Sequence, residues 1–248
     1  LGCGGGGLAG PLGARRGGGG AGGGGGWGWG GGGGAGGGGA GQGEQTGDPL
    51  LCPLLCGKVG VCDSAGVCVV NCSKPGSCNQ GKPVCPPGTA CRVECGESSC
   101  FGGVDCGQSV SCQVDCKGKK SCQGGVTCGA TSCTVSCEGE GSCFGVVSAQ
   151  GNNSKIVCDG EKSCQGGVKC DGSTCEVECS GEESCFGGVA SGAMTSTILC
   201  SGEKSCQGGG SCKGLSCTFD CSGDESCFAP VCCQGLTCEV KGKPNPCP

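Results

Sequence analysis

The chain has 248 residues, of which 63 are glycine and 35 cysteine, with 3% aromatics, no histidine, no tyrosine and a net charge of −5. Such a composition cannot build a conventional hydrophobic core, so disulfides are expected to replace it, and cysteine at this density points to an oxidising setting, extracellular, periplasmic or on a cell surface. The acidic balance argues against a nucleic-acid partner, which needs a basic patch, and no apolar run approaches the roughly 18 residues of a membrane-spanning helix.

Residues 1–43 read as a flexible tether, because from Gly4 to Gly43 the chain is glycine with scattered alanine and cannot offset its ordering entropy. It opens on Leu1 rather than methionine, which suggests a processed chain or a fragment. Leu1-Gly2-Cys3 followed by glycines resembles the lipidation site of bacterial lipoproteins, and the resemblance implies Cys3 as a lipid anchor, the only expected contact with a membrane. Trp27 and Trp29 interrupt the tether and read as incidental to low-complexity sequence. Residues 44–94 form a Cys/Pro-rich N-terminal cap with irregular first rungs, in which Pro53, Pro75, Pro83, Pro86 and Pro87 deny ladder donors.

Residues 95–231 carry the organising pattern. Cys95, Cys116, Cys137, Cys158, Cys179, Cys200 and Cys221 recur every 21 residues, and Cys122, Cys143, Cys164, Cys185, Cys206 and Cys227 follow with the same step. A strict period of this length marks stacked repeats that close a core only against their neighbours. Cys133, Val135 and Cys137 alternate with Thr134 and Ser136, the period of a strand with one apolar face. The central position repeats as Val114, Val135, Ile156, Val177, Ile198, Phe219 and Val240, and a second strand repeats Val126, Val147, Val168, Val189, Gly210 and Val231. The expected fold is therefore all-β, a disulfide-stapled parallel β-solenoid with 21-residue rungs. Glycine in the Cys-x-Gly-x-x-Ser-Cys arch is expected to supply a positive φ. Residues 232–248, with Pro244, Pro246 and Pro248, read as a C-terminal cap.

The repeats act as their own mutation series. Cysteine stands at 128, 170, 212 and 233 but is replaced by Ala149 and Ser191, and in the same two rungs the counterparts of Cys133, Cys175, Cys217 and Cys238 are Ser154 and Ser196. Joint loss couples Cys128–Cys133, Cys170–Cys175, Cys212–Cys217 and Cys233–Cys238. The pair that never vanishes then closes the other arch as Cys95–Cys100, Cys116–Cys122, Cys137–Cys143, Cys158–Cys164, Cys179–Cys185, Cys200–Cys206 and Cys221–Cys227. The same logic extends to Cys72–Cys78, Cys85–Cys91, Cys106–Cys112 and Cys56–Cys62, with Cys52–Cys68 and Cys232–Cys247 closing the ends. Seventeen bridges use 34 of the 35 cysteines and leave Cys3 over. Bonds between stacked rungs remain the alternative, since neighbouring strands lie about 4.8 Å apart; a column of seven would leave one cysteine unpaired.

A longer period overlies the first. The residue after the arch cysteine is Gln123, Gln165 and Gln207 in one set of rungs and Phe144, Phe186 and Phe228 in the other, with Phe101 before them. Strand alternation turns these outward, a stripe suited to a partner surface or to sugar rings, or else each Phe covers its own rung. The bridge-poor arches, 148–155 and 190–197, are expected to be the most mobile. Asn152-Asn153-Ser154 is a glycosylation sequon for a eukaryotic secretory source.

Without histidine or tyrosine most acid-base and triad arrangements are out of reach, so no catalytic residue and no cofactor are expected. The cysteine count raises thiolate metal binding as an alternative, but neither Cys-x2-Cys nor Cys-x-Cys spacing occurs. Cys-Thr-Val-Ser-Cys at Cys133 to Cys137 resembles the disulfide-stapled β-helix antifreeze proteins of beetles. The whole layout, an early cysteine, a polyglycine tether and Gly/Cys repeats, is similar to surface lipoproteins of myxobacterial type, and implies a place on the outer membrane if the source is bacterial. The expected function is a non-catalytic extracellular or cell-surface structural or binding module. The alternative is an ice- or glycan-binding solenoid using Phe144, Phe186 and Phe228.

Overall fold

The computed structural model, which describes Leu50, residues 52–57 and residues 59–242, is an all-β parallel solenoid of about eight turns. Residues 1–49, with Cys3, Trp27 and Trp29, and the last six residues, with Cys247, lie outside the described residues. A regular turn contributes one six-residue strand, such as Ser132–Cys137, Asn153–Cys158, Thr174–Cys179 or Thr195–Cys200. Its second strand has three residues, as in Val126–Cys128, Val147–Ala149, Val168–Cys170 and Val189–Ser191. The long strands stack into a ten-stranded sheet and the short ones into a seven-stranded sheet facing it.

Registers advance by 21 residues without slipping, so that Val114, Val135, Ile156, Val177, Ile198, Phe219 and Val240 lie in one column. Pleating turns alternate residues to opposite faces, and this column is fully buried up to Phe219. Each member faces a residue of the short strand, normally valine. Where the long strand carries the bulkier Phe219, the short strand carries Gly210, whose missing Cβ would overlap the Phe219 ring. The interior is narrow, one aliphatic pair per cross-section, and the disulfides flank it at both arches.

The arch glycine has a different role from the one its sequence suggests. Gly139, Gly160, Gly181, Gly202 and Gly223 are not among the positive-φ residues. They stack directly on one another, and a Cβ on Gly160, for example, would overlap the carbonyl oxygen of Gly139. Left-handed backbone falls instead on the residue two positions later, Gly141, Lys162, Glu183, Lys204 or Glu225, and on the arch cysteine itself.

Both sheets extend past the regular repeats. Val67–Cys72 and Ala90–Cys95 join the long sheet in parallel register within the N-terminal cap region. Val231–Cys233 and Thr237–Gly242 continue the two sheets into the stretch read as a C-terminal cap. The one antiparallel pairing among the described residues is at the start, where Val61–Cys62 folds onto Val67–Cys72 through a turn in which Asp63 Oδ1 accepts from the Ala65 and Val67 amides. A single helical turn, Cys52–Cys56, packs beside this hairpin.

Candidate functional site

Two columns of bridges run along the solenoid. Across the first arch the bonds run within rungs from Cys95–Cys100 through Cys116–Cys122, Cys137–Cys143, Cys158–Cys164, Cys179–Cys185 and Cys200–Cys206 to Cys221–Cys227. Across the second they are Cys106–Cys112, Cys128–Cys133, Cys170–Cys175, Cys212–Cys217 and Cys233–Cys238. Cys72–Cys78 and Cys85–Cys91 precede them. Sulfurs of adjacent rungs also approach one another, with Cys85 Sγ 3.4 Å from Cys106 Sγ. In the first column the bridging arch cysteine is left-handed, φ 47° at Cys143 and 50° at Cys164, and bonds the strand-end cysteine of its own turn.

Two of the sequence-derived pairs are corrected. Cys52 bonds Cys62 and Cys56 bonds Cys68, rather than Cys52–Cys68 enclosing Cys56–Cys62. Residues four apart on a helical turn share a face, so Cys52 and Cys56 both point at the hairpin, where Cys62 and Cys68 lie directly opposite each other. Each helical cysteine reaches one hairpin strand, which interlaces the bridges. Cys232 is disulfide-bonded, while Cys247, the partner assigned to it from the sequence, lies outside the described residues, as does Cys3.

In the two rungs without a second bridge the space is filled differently. Ser191 Oγ lies 2.7 Å from Ser196 Oγ and donates to the carbonyl of Cys170, so a hydrogen-bonded hydroxyl pair occupies a disulfide's place. In the other rung Ala149 and Ser154 are both buried.

On the outer surface the alternating stripe resolves into two kinds of rung. Phe101, Phe144, Phe186 and Phe228 are exposed by 61%, 54%, 49% and 71%. The glutamines between them are half-covered, and Gln123, Gln165 and Gln207 donate to the backbone carbonyls of Gly141, Glu183 and Glu225 in the next rung. The phenylalanines form a ridge spaced about 10 Å apart; the glutamines tie rungs together. Next to the ridge in chain order come paired glycines, and around Gly166–Gly167, Gly187–Gly188 and Gly208–Gly209 a shallow groove of about 280 Å³ opens beside Lys169, Ala190 and Ser211. Its floor is backbone. A Cβ on Gly187 would meet Gly166 of the rung below, which is why the floor stays bare.

Part of the acidic arch is paired with lysines of the same or the neighbouring rung. Lys119 donates to Glu140 at 2.6 Å and holds that carboxyl below its ordinary range. Lys162 lies 2.7 Å from Glu161 and 3.7 Å from Glu183, and Lys204 repeats this with Glu203 and Glu225 at 2.9 and 3.9 Å; hydrogen bonds to Glu161 and Glu203 raise both ammonium groups. The clustered sulfurs, such as those of Cys116, Cys137 and Cys143, lie within 4.8 Å of one another. Metal ligation takes thiolates, and here the sulfurs are bonded to each other, so the oxidised donor set does not fit a soft metal. All 33 described cysteines, 35 less Cys3 and Cys247, are bridged.

The pairing of Gly210 with Phe219 escapes a column-by-column reading. Its signal was present: the one glycine of its column and the one aromatic of the facing column fall in the same rung. Compared with family models, curated proteins and solved structures, the chain matches none.

Proposed function

We propose that the chain is a non-catalytic extracellular or cell-surface module whose solenoid is a short rod, about 40 Å long over its described turns at the usual strand spacing. The observation that carries this reading is the unbroken first-arch column of buried bridges from Cys95–Cys100 to Cys221–Cys227, because in a thiol-reducing compartment the short-loop disulfides that replace the missing core would be lost. The similarity of the layout to surface lipoproteins supports Cys3 as the anchor and the glycine stretch as the spacer. The test is alkylation of the protein as it leaves its native compartment, followed by intact-mass measurement. One alkylated or lipidated cysteine, Cys3, is expected; a protein alkylated throughout overturns the reading.

A second reading rests on the phenylalanine ridge. Exposed aromatic faces in alternate rungs beside a bare-backbone groove suit stacking against alternate rings of an extended glycan. Ice binding is less well served, since the ridge alternates with glutamine and the long sheet's outer face mixes Thr134 and Ser136 with Lys155, Glu176 and Glu178. Replacing Phe144 and Phe186 by alanine is expected to abolish retention on insoluble polysaccharides; unchanged retention, or none in the wild type, leaves the ridge without this role.

A further inference from the structure

The two ends of the rod differ. At the N-terminal end the turn Cys52–Cys56 and the antiparallel hairpin cover the first rung, and the inward Val70 is 4% exposed. At the other end Thr237–Gly242 pairs with Ser216–Cys221 on one edge, and among the described residues nothing pairs with its second edge. All six of its residues are exposed, and Val240, whose column is otherwise sealed, is 38% accessible. A strand in this state is a template for another strand.

The geometry points to a second copy of this chain as the occupant, joined end to end by antiparallel pairing of the two Thr237–Gly242 strands about a two-fold axis through Val240. The charge pattern selects both the partner and the register. Along the outward face the strand reads Glu239 then Lys241. With Val240 on the axis, Glu239 of each copy lies opposite Lys241 of the other, giving two complementary pairs. Centring the axis on Glu239 or Lys241 instead sets like charges opposite each other, which is unfavourable. A shift by one residue opposes inward and outward faces. In the selected register the two valine columns meet and become one interior. Because the N-terminal end is covered, each copy has one joining end, so the assembly closes as a dimer rather than growing into a filament.

The test is a charge exchange on the oxidised full chain, read by sedimentation velocity across a concentration series. The wild type is expected to dimerise. Glu239→Lys and Lys241→Glu are each expected to weaken self-association by about tenfold or more, since each replaces two attractive cross-strand pairs by two repulsive ones. Mixed in equal amounts, these two variants are expected to form a heterodimer, because the first carries lysine at both positions and the second glutamate at both, so each cross-strand pair is again of opposite charge. This recovery separates the interface from the ion pair between Glu239 and Lys241 within one chain, 3.3 Å apart, which mixing does not restore. Unchanged bridge content by mass shows that the variants fold. A wild type that stays monomeric at its highest soluble concentration overturns the proposal, as does failure of the mixture to associate. Concentration-independent protection from hydrogen exchange of the Cys238 and Val240 amides overturns it too, since these alternate with the Thr237 amide that donates to Leu215 and so face the open edge, which would then be covered within one molecule.

Discussion

The pairing of Gly210 with Phe219 makes a sharp demand on mutagenesis. Phe219 is fully buried, and a Cβ built at Gly210 overlaps its Cε2 and Cζ. Gly210→Val therefore forces a β-branched side chain into occupied space in a two-walled interior with no third layer to yield, and overpacking of this kind costs about 1–3 kcal/mol. Phe219→Ile removes ring carbons opposite a glycine that cannot refill the space. Its cost falls between those of Ile→Val and Phe→Ala, about 2 kcal/mol. The double variant Gly210→Val with Phe219→Ile rebuilds the Val189 and Ile198 cross-section of the preceding rung, and is expected to lie within about 1 kcal/mol of the wild type, a coupling near the upper end of the roughly 0.5–3 kcal/mol seen for contacting residues. Guanidinium unfolding of the oxidised proteins, followed by far-UV circular dichroism, measures all four corners of the cycle. Additive losses, with the double variant about 4 kcal/mol below wild type, would refute the idea that the rungs hold a fixed cross-sectional volume.

Ser191→Cys combined with Ser196→Cys is expected to form a further bridge, because these positions are equivalent to Cys170 and Cys175, whose Cα atoms are 6.1 Å apart. The closed loop predicts about 2 kcal/mol of stabilisation, less about 1 for the lost hydroxyl pair, and intact mass reports the bond directly. Gly181→Ala is expected to destabilise by about 1–3 kcal/mol because its Cβ would overlap the Gly160 carbonyl. Two residues on, Glu183→Gly is expected to stay within about 1 kcal/mol of neutral, since glycine relieves the left-handed conformation while loosening the unfolded chain; thermal melts of the two variants rank them. The Glu140 carboxyl should titrate by NMR below its ordinary range, and Lys119→Met should return it there. A depressed carboxylate contributes above its unfolded pKa and loses that contribution as pH falls through the folded value. Because Glu140 and Lys119 are exposed, global stability should scarcely follow this titration.

The 21-residue cysteine period and the alternation around Val135 made a stapled solenoid legible in the chain alone, and the paired absence of cysteine at Ala149 with Ser154 and at Ser191 with Ser196 favoured bridges within a rung, while the stacked strands decided them against bonds between rungs. They sufficed because a repeat presents the same local problem many times, so each departure from the pattern is informative about its partner. Where the repeat stops, that leverage stops too. At the N-terminal end a helical turn and a hairpin interlace Cys52–Cys62 with Cys56–Cys68, an order set by which face of the turn looks at the strands. The arch glycines were legible as necessary but not as to why, since the crowding that excludes a Cβ comes from the backbone of another rung 21 residues away. Likewise the stripe could be placed on the surface from alternation, but its division into exposed phenylalanines and rung-tying glutamines depends on carbonyls that only stacking brings within reach. Local pattern decided which residues point inward; contact between turns decided how tightly they may approach, which end a hairpin covers and which edge strand has no neighbour among the described residues.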